Sequence, residues 1–225
     1  YWVSAIGKFI PKSGAECRIY VTGKLAPSER LPVTKSELTQ TLEGRAYTPQ
    51  QAELIASAQT PHNALATEIA HAAGLRAHEL LTLRPVAERA ADPRPALDSK
   101  WKGRSGEIYT VQGKGGLTRE VMIPHELAAR LEERRLDAPQ VVTDRGVFYQ
   151  SSYDIGGGQR WSNSVSAASE RTMGRSTGAH GLRHSYAQER MTELQNRGLS
   201  RDAALETVSQ EMGHFRPEIT ETYLR

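Results

Sequence analysis

Residues 107–123 constrain the fold more than any other stretch. EIYTVQ and LTREVMI alternate in polarity around Gly113-Lys114-Gly115-Gly116, which predicts two antiparallel strands joined by a glycine-rich turn. On both sides of this hairpin the punctuation is helical. Thr48-Pro49-Gln50-Gln51 is a capping box with proline at the first helical position, and it leads into AELIASA. A second helix, from about His62 to Ala73, gathers Leu65, Ile69 and Ala72/Ala73 on one face and stops at Gly74. Leu75–Leu83 reads as a short helix closed by Arg84-Pro85, and Pro124 opens a helix to about Leu136. Beyond the Gly156–Gly158 loop, helices are expected at about Ser162–Met173, Ala179–Arg197 and Arg201–Met212. Ser200 caps the third of these, Gly213 stops it, and Pro217 begins a last helical segment. The expected fold class is therefore mixed α/β and predominantly helical, with a small antiparallel sheet. Residues 1–45 show no long helical period, only a candidate strand at Cys17–Thr22. They are expected to be an N-terminal arm or the end of an upstream domain, with a compact domain over 46–225.

A chain of 225 residues buries a core without a staple, and its single cysteine, Cys17, excludes an internal disulfide and a Cys-rich zinc site. No apolar run reaches membrane-spanning length, and the N-terminus lacks a secretory pattern. No membrane partner is expected, and the expected setting is cytoplasmic. The formal charge is only +3, yet the basic residues cluster. Lys100, Lys102, Arg104, Lys114 and Arg119 face one acid, Glu107, within their stretch, and Arg160, Arg171, Arg175 and Arg183 face only Glu170 in theirs. Such clustering suits a polyanion-binding face, although two solvated loops would give the same count.

The chain has no GxxxxGK[ST], no GxGxxG opening a helix and no GxSxG elbow. His180 and His184 stand four apart, but Gly181 follows the first where a glutamate base would be needed, and Arg183 lies between them. A cation beside a fixed guanidinium is repelled, so no metal or other cofactor is expected. What remains is a set of polar residues at helix starts and turn tips: Arg76 one turn before Glu79, Lys114 at the hairpin tip, His180 and Arg183 on one helix face, His214 after Gly213, and Tyr223. Each alone has a structural explanation, such as an Arg76–Glu79 surface pair or Tyr223 as a half-buried aromatic. Together they match metal-free chemistry at a phosphodiester. Arginine grips non-bridging oxygens, lysine and histidine move protons, and a tyrosine hydroxyl is a nucleophile once activated.

The strings AAGLRAHELLTL, VQGKGGLTREVMIP, HGLRHSYA and MGHFRPEITETY, in this order, resemble the tyrosine recombinase (phage integrase) family over about residues 46–225. The resemblance implies a tyrosine-recombinase-like catalytic domain over 46–225. In it Tyr223 attacks the scissile phosphate and forms a 3′-phosphotyrosyl link. Arg76, Arg183 and His214 hold the non-bridging oxygens, Lys114 protonates the leaving 5′-oxygen and His180 assists at the tyrosine. Glu79 and His184 are implied as supporting residues. Double-stranded DNA is the implied partner, bound by a homo-tetramer assembled on it and placing the protein at the nucleoid. Lys100, Lys102, Arg104, Arg119, Arg160, Arg171 and Arg175 are expected to bind that DNA. Strand relaxation of the type IB topoisomerase kind and a non-catalytic basic DNA-binding module are the alternatives.

Overall fold

The computed structural model describes residues 2–3, 7–12, 16–21, 44–113 and 115–224. The chain divides into two units, Tyr1–Gly44 and Arg45–Arg225. In the first, β1 (Trp2–Val3), β2 (Gly7–Lys12) and β3 (Glu16–Val21) form an antiparallel meander with Ile10 opposite Arg18. The expected strand at Cys17–Thr22 is β3, except for Thr22, which lies outside the described residues.

The second unit begins where the capping box predicts. Helix α1 (Pro49–Ser57) has Thr48 Oγ1 accepting from the Gln51 amide at 3.2 Å, and the Thr48 amide donates to Gln51 Oε1 at 2.9 Å. Helix α2 (Pro61–Ala73) ends at Gly74 in the left-handed region, φ +61. A Cβ on Gly74 would stand 2.6 Å from the Tyr186 ring, so backbone conformation and packing both require glycine there. The stretch Leu75–Leu83 is not an α-helix; it contains one 3-10 turn, Glu79–Thr82. At its start the Glu79 carboxylate folds back to accept the Arg76 amide at 2.8 Å.

The hairpin forms in the expected register. Strands β5 (Glu107–Gln112) and β6 (Thr118–Ile123) pair with Val111 opposite Arg119, and β4 (Arg84–Pro85) adds an antiparallel edge to β5. The helix opened by Pro124 stops earlier than the sequence suggests. Helix α3 covers His125–Glu132, and Arg135 already starts a second hairpin that sequence reading did not find. This hairpin, β7 (Arg135–Asp144) and β8 (Val147–Tyr153), closes at Arg145 and Gly146, both with positive φ, as a two-residue turn that matches strand twist. Glu132 marks the boundary because the hydroxyls of Tyr109 and Tyr153 both donate to its Oε1, at 2.6 and 2.8 Å.

Helices α4 (Gly158–Met173), α5 (His180–Asn196), α6 (Arg201–Glu211) and α7 (Pro217–Glu221) complete the unit. Ser200 caps α6 as expected, accepting from the Ala203 amide at 3.2 Å. One apolar cluster joins α1, α2, the hairpin, α3 and α4 through residues such as Ile55, Leu65, Val111, Leu131 and Trp161. A smaller one joins α5 and α6 and takes in Tyr223. Among the described residues no helix is long and apolar enough to cross a membrane.

Candidate active site

The site is assembled around buried charge. Glu79 is fully buried, and it accepts from the Arg76 amide at 2.8 Å, from Arg76 Nη1 at 2.9 Å and from Arg119 Nη2 at 2.9 Å. Burial alone would raise its pKa; the guanidiniums of Arg119, Arg183 and Arg76 outweigh that and hold it down to about 2. Glu79 is therefore an anion that neutralises part of an arginine cluster.

Arg183 stands on the first turn of α5 and is also fully buried. Its Nη1 donates to the Gly74 carbonyl, and its Nη2 donates to the Met212 carbonyl at 2.6 Å and to His214 Nε2 at 2.9 Å. Its Nε is buried without a partner. Burial first, then the Arg76 charge, lowers its pKa to about 10, which still leaves it cationic at neutral pH. Gly74 and Met212 are thus held on either side of one side chain.

His214 follows the turn at Gly213, whose φ is +71 and where a Cβ would stand 2.3 Å from Arg119 Cδ. Its Nδ1 lies 2.8 Å from Thr220 Oγ1. Burial, reinforced by Arg183, Arg76 and Arg119, pushes its pKa down to about 3, so the ring is neutral.

Tyr223 lies just past the end of α7, 8% exposed, with its amide donating to the Thr220 carbonyl at 2.9 Å. Three imidazoles surround its ring. Centroid distances are 4.7 Å to His184, 5.0 Å to His214 and 5.2 Å to His180, and the Arg183 guanidinium carbon lies 5.5 Å from the ring centre. His184 Nδ1 donates to the Tyr223 carbonyl at 3.2 Å. His180 is exposed, and partial burial together with His184 and Arg183 lowers its pKa to about 4. Among the described residues, no group of three or more His, Cys, Asp or Glu side chains is placed to hold a metal ion.

The structure thus brings together Arg76, Glu79, His180, Arg183, His184, His214 and Tyr223. Lys114 lies outside the described residues. Gly113, which opens the turn of its hairpin, adjoins the cluster, since a Cβ there would stand 3.7 Å from Glu79 Oε1.

The basic residues expected to meet DNA separate into three groups. Lys102, Arg160, Arg171 and Arg175 are exposed. Lys100 and Arg104 are half-buried in ion pairs with Glu120 at 2.7 Å and Glu193 at 2.9 Å. Arg119 departs from the expectation. It is 4% exposed and bridges Glu79 to the Glu211 carbonyl at 2.7 Å, so it belongs to the interior of the site.

Sequence reading also missed the support beneath the His214 turn. Glu211, fully buried, accepts from Arg190 through Nε and Nη2, both at 2.9 Å, and from the Tyr186 hydroxyl at 2.9 Å. The only signal for these residues was polar side chains on helix faces otherwise apolar.

Comparison with known proteins returned solved structures only. No protein-family model matches the chain, and no curated protein matches it. The chain is similar to the XerH site-specific recombinase bound to palindromic difH substrate in a post-cleavage complex, with TM-score 0.50, 18% identity, and 80% of this chain and 49% of that one covered. A pre-cleavage XerH–difH complex gives TM-score 0.49 at 18% identity, covering 80% of this chain and 50% of that one. The Tn1549 transposon integrase with circular-intermediate DNA gives 0.45 at 18% identity, with 82% and 64% covered. The chain spans about half the length of the XerH chains it matches. The shared property is the fold: predominantly helical with small antiparallel sheets, as in the catalytic domain of tyrosine recombinases.

Proposed function

We propose that the protein is a site-specific DNA recombinase or integrase that cuts and rejoins DNA through a 3′-phosphotyrosyl link to Tyr223. The observation that carries this reading is the packing of His180, His184, His214 and Arg183 around the Tyr223 ring, with Arg76 tied to the same cluster through Glu79. The XerH complex that shares the fold holds DNA, which supports DNA as the substrate.

In this reading Arg76 and Arg183 hold the non-bridging oxygens and offset the charge that grows on them in the transition state. His214 adds a hydrogen bond to one of these oxygens. Tyr223 Oη attacks the phosphorus, and its proton passes to His180, whose low pKa keeps the ring neutral and able to accept at neutral pH. Lys114 gives a proton to the departing 5′-oxygen. A 5′-hydroxyl from a partner strand reverses the step, so the bond energy is retained and no nucleotide is hydrolysed. Exchange between two duplexes calls for a tetramer on DNA. Residues 46–225 are the DNA-cleaving domain, and 1–45 an arm or the end of an upstream domain.

Tyr223→Phe tests the nucleophile. Incubation with a nicked duplex that traps covalent product should give no protein–DNA adduct, while DNA affinity stays close to that of the parent. An adduct formed by this variant would exclude Tyr223 as the attacking residue.

A further inference from the structure

We propose that Thr220 is a positioning residue for His214, whose two-way hydroxyl lets the imidazole change from accepting Arg183 to donating to the scissile phosphate. The proposal rests on the function proposed above. The tautomer of His214 follows from its protein partners. A guanidinium has no acceptor, so Arg183 Nη2 donates and His214 Nε2 accepts, across 2.9 Å. The ring is neutral and carries one N–H, which is therefore on Nδ1 and is donated to Thr220 Oγ1 at 2.8 Å.

This tautomer suits Arg183 as the partner of Nε2 and not a phosphate oxygen. With Nε2 as a lone pair, His214 would repel a phosphate oxygen. Arg183 has donors in use on the Gly74 and Met212 carbonyls and on His214, and an anionic oxygen draws the guanidinium toward itself. Nε2 then loses its donor. As the ring moves, solvent delivers a proton to Nε2 and takes back the one released from Nδ1, so the ring stays neutral and no net proton is gained or lost. Nδ1 now needs a donor where it had an acceptor. A hydroxyl supplies both by rotation, whereas a carboxylate can only accept and an ammonium can only donate.

The placement of Thr220 makes this partnership exclusive. The residue is fully buried, so bulk water does not replace its hydroxyl. Its carbonyl accepts the Tyr223 amide at 2.9 Å, so the same residue fixes the helix end that carries the nucleophile. Thr220 thereby links the histidine that meets the phosphate to the segment that attacks it.

The test compares Thr220→Val, Thr220→Ser and His214→Ala, singly and combined, in single-turnover cleavage of a nicked duplex. Thr220→Val is near-isosteric and should lower the cleavage rate about 10–100-fold, as loss of a partner behind a functional histidine does. Thr220→Ser should stay close to the parent. In a His214→Ala background Thr220→Val should cost nothing further, because the two act as a unit. An equal cost in both backgrounds would mean that Thr220 only packs α7, and would overturn the proposal. Nitrogen-15 spectra of the DNA-free parent give an answer that does not depend on variant folding. The His214 signal should be that of the Nδ1–H form, and an Nε2–H form would overturn the proposal even with Tyr223 confirmed as nucleophile. Adduct formation by Tyr223→Phe would instead reject the underlying function, whatever the tautomer.

Discussion

Arg119→Met separates an interior role from a DNA-contact role. Methionine keeps the apolar stem and removes both donors. The loss is one charge-assisted bond to Glu79 at 2.9 Å and one bond to the Glu211 carbonyl at 2.7 Å, made by a side chain that is 4% exposed. Breaking a buried ion pair by removing one partner costs about 3–5 kcal/mol. Glu79 keeps both of its bonds from Arg76, which places the expected loss at the low end, about 3 kcal/mol. For a domain of this size that lowers the melting temperature by roughly 6–12 °C. Urea and thermal unfolding measure the loss. DNA titrations at several salt concentrations measure the other role, since removing a phosphate contact reduces the salt slope by about 1. The expected outcome is a destabilised variant with an unchanged slope. A loss under about 1 kcal/mol together with a reduced slope would refute the interior role.

Two other predictions concern proton chemistry. Lys114→Ala should slow cleavage of an ordinary phosphodiester far more than of one with a 5′-bridging sulfur, because a thiolate leaves without a proton; equal defects on both substrates would remove the general-acid role. Acidification should destabilise the fold. His214 and His180 are held at about 3 and about 4 against an ordinary 6.5, so below pH 6.5 the unfolded chain binds protons that the folded chain refuses. Glu79, held at about 2 against 4.5, adds stability that is present above pH 4.5 and fades as pH falls toward 2. Urea midpoints should fall steadily from pH 7 to pH 4, and a level or rising midpoint would contradict the lowered pKa values of these histidines.

Much of this arrangement was legible because it is written locally. The capping box at Thr48, the helix stops at Gly74 and Gly213 and the alternation around Gly113–Gly116 are short-range signals, and each lands within a few residues of the observed boundary. Arg76, Arg183, His214 and Tyr223 were visible because they sit beside such punctuation. The β7–β8 hairpin was missed although VVTDRGVFY carries a strand–turn–strand pattern. The charged LEERRL run before it looked like a helix end continuing to Leu136. Arg119 was misplaced for a different reason. A basic run read as a string says nothing of exposure, and only the fold shows that this member points inward to Glu79 and the Glu211 carbonyl. The Glu211–Arg190–Tyr186 network was equally silent, since its partners are distant along the chain.

That distance has a consequence for the order of events during synthesis. Arg183 reaches back 109 positions to the Gly74 carbonyl and forward 29 to Met212, and Arg119 reaches 92 positions to Glu211. Closing such spans costs chain entropy before any contact rewards it, so these bonds form late. A nascent chain folded only through α5 has the Gly74 carbonyl for Arg183 and not the Met212 carbonyl, and neither His214 nor Tyr223 is yet in place. The full set of bonds to Arg183 and the packing around Tyr223 therefore depend on the same late-closing contacts. Under the proposed function, a nascent chain that lacks the stretch from Gly213 to Tyr223 cannot cut DNA, because the histidine and the tyrosine that complete the site lie in that stretch.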